Sequence, residues 1–151
     1  MRFTALLGLA VLVSGCTRQE APPAADTAAM TDAPGATSLA SFAGMWDVNV
    51  MPEGSDSVAT THVLNVTDTA AWKLEFTDQT GADVRVTGMR GDTVLAEAGP
   101  FESGVRRGVQ VRTTNSYWLQ DGKIMGTTRA RYETTGADTV RLFRSVGTKR
   151  N

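Results

Sequence analysis

Cys16 and His62 have the most distinctive chemistry in this sequence, because each is the only residue of its type among 151. A single cysteine excludes an intrachain disulfide and a multi-cysteine metal site, and a single histidine excludes a histidine-rich metal centre. His62 can serve as a general base only beside a positioned hydroxyl or carboxylate group. The sequence has no serine-centred elbow, HExxH pattern or phosphate loop, so it predicts a non-catalytic protein without metal or cofactor.

The segment before Cys16, MRFTALLGLAVLVSG, has the layout of a secretion signal. Its positively charged start is followed by an apolar run from residue 3 to 13 and then by two small residues. The run is too short to span a bilayer, which takes about 20 residues. Residues 1–15 are therefore predicted to be a signal peptide that is removed from the mature chain.

The stretch VSGC at residues 13–16 resembles a bacterial lipobox. This resemblance implies that the Cys16 thiol is acylated, that Cys16 becomes the first residue of the mature protein, and that its acyl chains anchor the protein to a membrane. Threonine rather than aspartate at position 17 then favours the outer membrane over the inner one. The periplasmic face is expected rather than the cell surface. The alternative is cleavage at a nearby small residue, with no role for Cys16.

Residues 16–40 consist mainly of Ala, Pro, Thr, Asp and Gly, with almost no large apolar side chain. Such a segment cannot offset the entropy cost of becoming ordered, so it is predicted to be a flexible, lipid-anchored tether. Pro22, Pro23 and Pro34 argue against a helix in this segment. The folded domain is then predicted to span residues 41–151.

Turn signals that combine Gly and Asp recur through this domain, as in GSDSV, GADV, GDTV and GADTV. No segment between them has a helical period, and the connections are short, so an all-β antiparallel meander is expected. Eight such strands close a small barrel with room for side chains or one small ligand, and the alternative is an open β-sandwich. Alternating apolar and polar residues place the eight strands at 44–51, 57–67, 71–77, 83–89, 92–98, 108–119, 123–133 and 138–146.

The start of the first strand, FAGMWDVNV, resembles the Gly-x-Trp signature of the lipocalin and calycin barrels, with Gly44 and Trp46 at the matching positions. The resemblance implies a barrel in which an arginine on the last strand packs over the tryptophan and helps to close it. In the last strand, DTVRLFRSV, Arg144 shares the parity of Val140, Leu142 and Val146. Arg144 is therefore predicted to face the interior and to stack on Trp46.

The turn at Asp121-Gly122 fixes the strand pairing near the C-terminus. It places Asn115 opposite Thr128 and Arg112 opposite Arg131. Extended across the next turn, the pairing puts Arg141 beside Arg131, which predicts one outward basic row formed by Arg112, Arg131 and Arg141.

The charges of the domain are unevenly distributed along the chain. Residues 101–151 carry ten basic and four acidic residues, a net charge of +6, whereas residues 16–100 have a net charge of −8. The two halves either complement each other within one barrel, or the basic side recognises an anionic envelope polymer, a lipid headgroup or a partner protein. Nucleic acid is not a predicted partner, because an envelope location excludes it and because aromatic residues make up only 7% of the chain.

His62 shares the parity of its apolar neighbours Leu64 and Val66, so it is predicted to point into the barrel. It is then either a core histidine bonded to a nearby hydroxyl group or a polar contact inside a ligand cavity. A few polar groups in an apolar interior suit the non-catalytic binding of a small apolar or amphipathic ligand, which is the predicted function. Interaction with an anionic envelope component through the basic row is the alternative function. The ligand-binding candidates are Thr60, His62, Asn115, Tyr117 and Thr128.

The segment AEAGPFESGVRRG at residues 96–108 is the longest predicted loop of the domain. It is either a lip over the mouth of the barrel with Phe101 at its apolar tip, or a surface connection with Phe101 folded onto the core.

Overall fold

The structure is a computed structural model that describes residues 37–136 and 139–151. The predicted signal peptide, the predicted lipidation site Cys16 and the tether as far as residue 36 lie outside the described residues. No helix in the described ranges has the length and the hydropathy that a membrane-spanning helix requires.

The described chain forms one short helix followed by eight antiparallel strands. Consecutive strands pair in sequence order, and β1 also pairs with β8, so the sheet closes into a barrel. The predicted all-β, eight-stranded meander barrel is thereby confirmed, and the open sandwich is wrong. The elements are α1 (Leu39–Phe42), β1 (Gly44–Pro52), β2 (Thr60–Val66), β3 (Ala71–Glu75), β4 (Ala82–Arg90), β5 (Thr93–Glu102), β6 (Gln110–Gln120), β7 (Lys123–Tyr132) and β8 (Val140–Lys149).

The core lies inside the barrel and follows from the two-residue period of the strands. Trp46, Val48 and Val50 of β1 are buried, while Asp47 and Asn49 between them are exposed. The same alternation buries Trp72 and Leu74 in β3, and Val94, Ala96 and Ala98 in β5.

One end of the barrel, which we call the closed end, is sealed by α1. The Phe42 side chain is fully buried there and packs against Trp72, with ring centroids 6.0 Å apart. Trp46 Nε1 donates a hydrogen bond of 2.8 Å to the Phe42 carbonyl oxygen, which fixes α1 to β1. Tight turns such as Asp121-Gly122, with φ of 51° and 72°, complete this end because both residues adopt the left-handed conformation that such hairpins require.

The opposite end, which we call the mouth, carries the longer connections 53–59, 76–81, 103–109 and 133–139. The connection 103–109 folds over the opening, and its Ser103 is buried. The two ends therefore differ: short turns and a helix close one, and longer loops surround the other.

The predicted inward face of the last strand is wrong. Phe143, Ser145 and Gly147 of β8 are buried, whereas Arg144 lies on the outer surface and Leu142 is 48% exposed. The choice of face is steric, because a Cβ atom at Gly147 would overlap Ile124 and come within 3.0 Å of Val48. The interior at this point accepts only a small side chain. The alternate residues of β8 that include Gly147 therefore face inward, although they are less apolar than the other set.

Pairing between β6 and β7 follows the predicted register, with Asn115 opposite Thr128 and Arg112 opposite Arg131. The register of β7 and β8 differs by one residue from the prediction, because Arg131 pairs with Val140, and Arg141 pairs with Ala130. A slip of one residue reverses the face of every side chain in a strand. The single outward row of Arg112, Arg131 and Arg141 is therefore wrong.

Candidate functional site

An interior cavity of about 60 Å³ lies beneath the mouth of the barrel. It has room for a few water molecules and is bounded mainly by apolar side chains such as Leu74, Phe76 and Phe143. Each of the five predicted ligand-binding residues contributes to its wall. These residues are Thr60, His62, Asn115, Tyr117 and Thr128.

His62 is positioned by β2, where it pairs with Val48 of β1. Its ring lies against Phe76, with ring centroids 5.7 Å apart. Burial in this apolar setting lowers the pKa of the imidazole from 6.5 to about 4, so His62 is neutral at pH 7. Its Nε2 atom is buried and has no hydrogen-bond partner among the described residues. The predicted hydrogen bond from a neighbouring hydroxyl group to the ring is therefore not formed at Nε2.

Asn115 and Thr128 form a polar bridge across β6 and β7. The Thr128 hydroxyl donates a 2.8 Å hydrogen bond to Asn115 Oδ1, and Asn115 Nδ2 donates a 3.0 Å hydrogen bond to Thr113 Oγ1. These bonds satisfy the amide of Asn115, which is buried. The bridge therefore provides a fixed polar patch on the cavity wall.

Tyr117 and Thr60 limit the cavity at its two extremes. Tyr117 packs against Trp72 toward the closed end, with ring centroids 6.1 Å apart, and burial raises the pKa of its hydroxyl group. Thr60 lies at the mouth, where a Cβ atom on Gly104 would come within 2.6 Å of Thr60 Oγ1. The connection 103–109 is therefore in direct contact with the cavity wall.

The connection 103–109, which we call the mouth loop, is held together mainly by its own hydrogen bonds. Ser103 Oγ accepts hydrogen bonds from the backbone N–H groups of Val105 and Arg106, at 3.1 and 3.0 Å. The backbone N–H of Ser103 donates to the Val109 carbonyl oxygen at 2.9 Å. The guanidinium of Arg106 lies 4.5 Å from the centre of the Tyr132 ring, which ties the loop to β7.

Phe101, predicted either as the tip of a lip over the mouth or as folded onto the core, lies near the end of β5, packs against the core and lines the cavity. Its ring packs on Phe76 with centroids 5.7 Å apart. Sequence reasoning missed Ser103 and Val105, which also contribute to the cavity wall. The Ser-Gly pair at 103–104 was the available signal, because Ser side chains commonly bond to the backbone of the turn that follows them.

The predicted closure group is only partly as expected. Gly44 and Trp46 both lie at the closed end, but Arg144 does not stack on Trp46. Its guanidinium instead pairs with the Asp56 carboxylate and donates a 3.1 Å hydrogen bond to the Ser55 carbonyl oxygen. Lys149 takes the position over Trp46, with Nζ 5.5 Å from the ring centre.

Gly44 explains why the lysine can reach the tryptophan. A Cβ atom at Gly44 would lie 2.6 Å from Lys149 Cε, so a larger residue would block the path of the lysine side chain. A cation on the last strand does cover Trp46, but it comes from a position five residues beyond Arg144.

The predicted basic residues occupy two different surfaces. Arg112 and Arg131 are directly opposite each other on the outside of the barrel, and Arg112 Nε also contacts Glu133 Oε1 at 3.3 Å. Arg141 shares a face with the inward residue Ala130, at the rim of the mouth. Arg129, which was not predicted, joins Arg112 and Arg131 because it lies two residues from Arg131 on the same face of β7.

No protein-family model, curated protein or solved structure matches this chain.

Proposed function

We propose that this chain is a lipid-anchored envelope protein whose barrel binds a small apolar or amphipathic ligand at its mouth, without catalysing a reaction. The observation that carries the proposal is the buried Nε2 atom of His62, which lines the cavity and has no hydrogen-bond partner in the described chain. A buried polar atom without a partner costs about 1–3 kcal/mol. A molecule in the cavity that hydrogen-bonds to His62 removes that cost.

The wall of the cavity selects the class of ligand. Most of it is apolar, and its polar groups are neutral: the His62 imidazole, the Asn115–Thr128 bridge and several hydroxyl groups. No carboxylate, lysine or arginine is among the described side chains that line it. An uncharged or weakly polar molecule suits this wall, with one group that bonds to His62 Nε2 and an apolar body against Phe76 and Phe101.

The size of the cavity limits what can enter while the mouth loop stays in place. Drug-sized ligands occupy pockets of roughly 300–1,000 Å³, whereas this cavity measures about 60 Å³. A ligand larger than a few water molecules must displace the mouth loop. Such a movement breaks the contact of Arg106 with the Tyr132 ring and the exposed ion pair from Arg107 to Asp78. The hydrogen bonds of Ser103 with Val105 and Arg106 lie within the loop and can be kept.

Ligand binding is tested by native mass spectrometry of the protein extracted from its own membrane. We expect a non-covalent adduct on the wild-type protein. The adduct should be lost in Ala130→Val, which fills the cavity with two methyl groups, and in His62→Phe, which removes the polar contact but keeps the ring packing. Thr127→Val is the matched control, because residue 127 precedes Thr128 on the same strand but points outward.

The pattern across these variants decides the proposal. An adduct on the wild type and Thr127→Val, but not on the two interior variants, supports binding inside the barrel. An adduct that all four proteins retain places the ligand elsewhere, and a wild-type protein without an adduct contradicts the proposal.

The anchor is a separate prediction, based on the lipobox resemblance at residues 13–16. We expect the denatured mature protein to begin at Cys16 and to carry covalently bound acyl chains. Cys16→Ser should abolish both the acylation and the cleavage before residue 16, and the protein should then leave the outer-membrane fraction. Intact-mass measurement of the two proteins checks this, and an unmodified wild-type thiol would contradict it.

A further inference from the structure

The outer face of β6, β7 and β8 differs in charge from the rest of the barrel. Across these three strands, the outward positions of the described residues include five basic side chains and no acidic one. The basic residues are Arg112, Lys123, Arg129, Arg131 and Arg144. The acidic outward residues Asp47, Glu75, Asp83 and Glu97 lie on β1, β3, β4 and β5. Two of them, Asp83 and Glu97, border the same concave part of the surface as Arg112, Arg129 and Arg131.

Two of these arginines have no carboxylate partner among the described residues. Arg112 contacts Glu133, and Arg144 pairs with Asp56, but no ion pair is formed by Arg129 or Arg131 within residues 37–136 and 139–151. Arg131 also lies directly opposite Arg112, and like charges in such a pair destabilise a sheet. An external anion between the strands would relieve this repulsion.

Apolar side chains are interleaved with these cations on the same surface. Trp118, Met125 and Val146 form a row across the three strands, because each is paired with the next in the sheet. Leu142 lies opposite Arg129 and is 48% exposed. We call this surface the cationic face and define it by Arg112, Arg129, Arg131, Trp118, Met125, Val146 and Leu142.

We propose that the cationic face lies on an anionic bilayer surface, with the arginines at the lipid phosphates and Trp118 and Leu142 at the boundary of the acyl chains. A soluble anion accounts for the arginines alone, whereas a bilayer accounts for both the charges and the exposed apolar groups. Basic residues beside tryptophan and aliphatic side chains are the composition that binds to membrane interfaces. This proposal goes beyond ligand binding in the barrel and does not depend on it.

The three tryptophans give a local test of this contact. Trp46 and Trp72 are only 3% and 1% exposed, so a quencher in the bilayer can reach only Trp118. The full-length protein is mixed with vesicles of brominated phosphatidylcholine, with or without phosphatidylglycerol. We expect the fluorescence of Trp118 to be quenched on the anionic vesicles and much less on the neutral ones.

The variants separate the cationic face from general attraction and from the N-terminal anchor. Arg129→Gln/Arg131→Gln should weaken the contact by up to about thirty-fold, since each charge near the surface contributes to binding. Arg90→Gln/Arg107→Gln removes two exposed charges from β4 and the mouth loop, away from the cationic face, and should keep the quenching. Trp118→Phe should remove the quenched signal while the protein still sediments with the vesicles.

The outcomes are distinct from those of the ligand experiment. Quenching that depends on Arg129 and Arg131 but not on Arg90 and Arg107 supports the proposal. Vesicle-bound protein with unquenched Trp118, or equal quenching in all the charge variants, overturns it, whatever the native mass spectra show. Chemical shift changes at the arginines with a soluble anionic polymer, combined with an unquenched Trp118, would instead assign the face to such a polymer.

Discussion

Replacement of Trp72 by alanine is expected to lower the free energy of unfolding by about 3–5 kcal/mol. Trp72 is 1% exposed, and its ring contacts both Phe42 of α1 and Tyr117 of the cavity wall. Its Nε1 atom also donates to the carbonyl oxygens of Thr67 and Thr69, at 3.1 and 3.0 Å. The variant therefore loses core packing and the bonds that hold the connection between β2 and β3.

Urea unfolding of the full chain, followed by circular dichroism, measures this loss. Trp118→Ala is the matched control, because it removes the same side chain from the outer surface and should cause a clearly smaller loss. Equal losses in the two variants would contradict the assignment of Trp72 to the centre of the core. Trp72→Phe keeps most of the packing without the indole hydrogen bonds, and is expected to lie between the wild type and the alanine variant.

Acidification from pH 6.5 to pH 4 is expected to reduce the stability of the barrel by about 3 kcal/mol through His62 alone. The pKa of its imidazole is lowered from 6.5 to about 4 by burial, and each pKa unit corresponds to about 1.4 kcal/mol. Between these two values the unfolded chain binds a proton that the folded chain does not. The contribution of His62 to the free energy of unfolding is therefore fully present above pH 6.5. It declines as the pH falls toward 4 and is lost below that value.

His62→Phe tests the assignment, because phenylalanine keeps a ring against Phe76 but cannot bind a proton. Its unfolding free energy should fall less than that of the wild type between pH 6.5 and pH 4. Identical slopes in the two proteins would contradict the burial of a neutral imidazole. The ion pair of Asp47 with Arg150 is present in both proteins, so it cancels in this comparison. Its hydrogen bond lowers the pKa of Asp47, and its contribution is lost mainly below the pH range measured.

Local patterns were sufficient to predict the barrel and much of its pairing. The Asp121-Gly122 turn fixes β6 and β7 residue by residue, because a two-residue hairpin loop leaves no freedom in register. The alternation of apolar and polar residues in β1 and β3 also predicts which face is inward. In each strand the apolar residues, among them Trp46 and Trp72, all lie on one face. These signals depend on neighbouring residues, so a single sequence contains them.

The orientation of β8 required information that its own residues do not contain. Val140, Leu142 and Val146 are more apolar than Ser145 and Gly147, and the strand alone therefore favours the wrong face. The deciding contact is the fit of Gly147 between Ile124 and Val48, which come from two other strands. The connection between β7 and β8 is also longer, so it does not determine the register of these two strands. Arg141 therefore pairs with Ala130 and not, as predicted, with Arg131.

The candidate site was predicted in its composition but not in its volume or its cover. Thr60, His62, Asn115, Tyr117 and Thr128 all reach one cavity because they share inward parity on strands that the barrel brings together. The missing partner at His62 Nε2 and the contact of Gly104 with Thr60 are tertiary properties. They depend on how the mouth loop folds back over the opening, which strand periodicity does not determine.

Both chain ends of the barrel leave from the same side. Residues 37 and 38 lead into α1, and Arg150 bonds through its backbone N–H to the Met45 carbonyl oxygen at 2.8 Å, so each terminus lies at the closed end. Each connection at the mouth joins two consecutive strands, so neither terminus lies at that end. Evolution or engineering can therefore alter the loops at the mouth without changing either end of the described barrel, and proteins fused after residue 151 would leave the opening unobstructed.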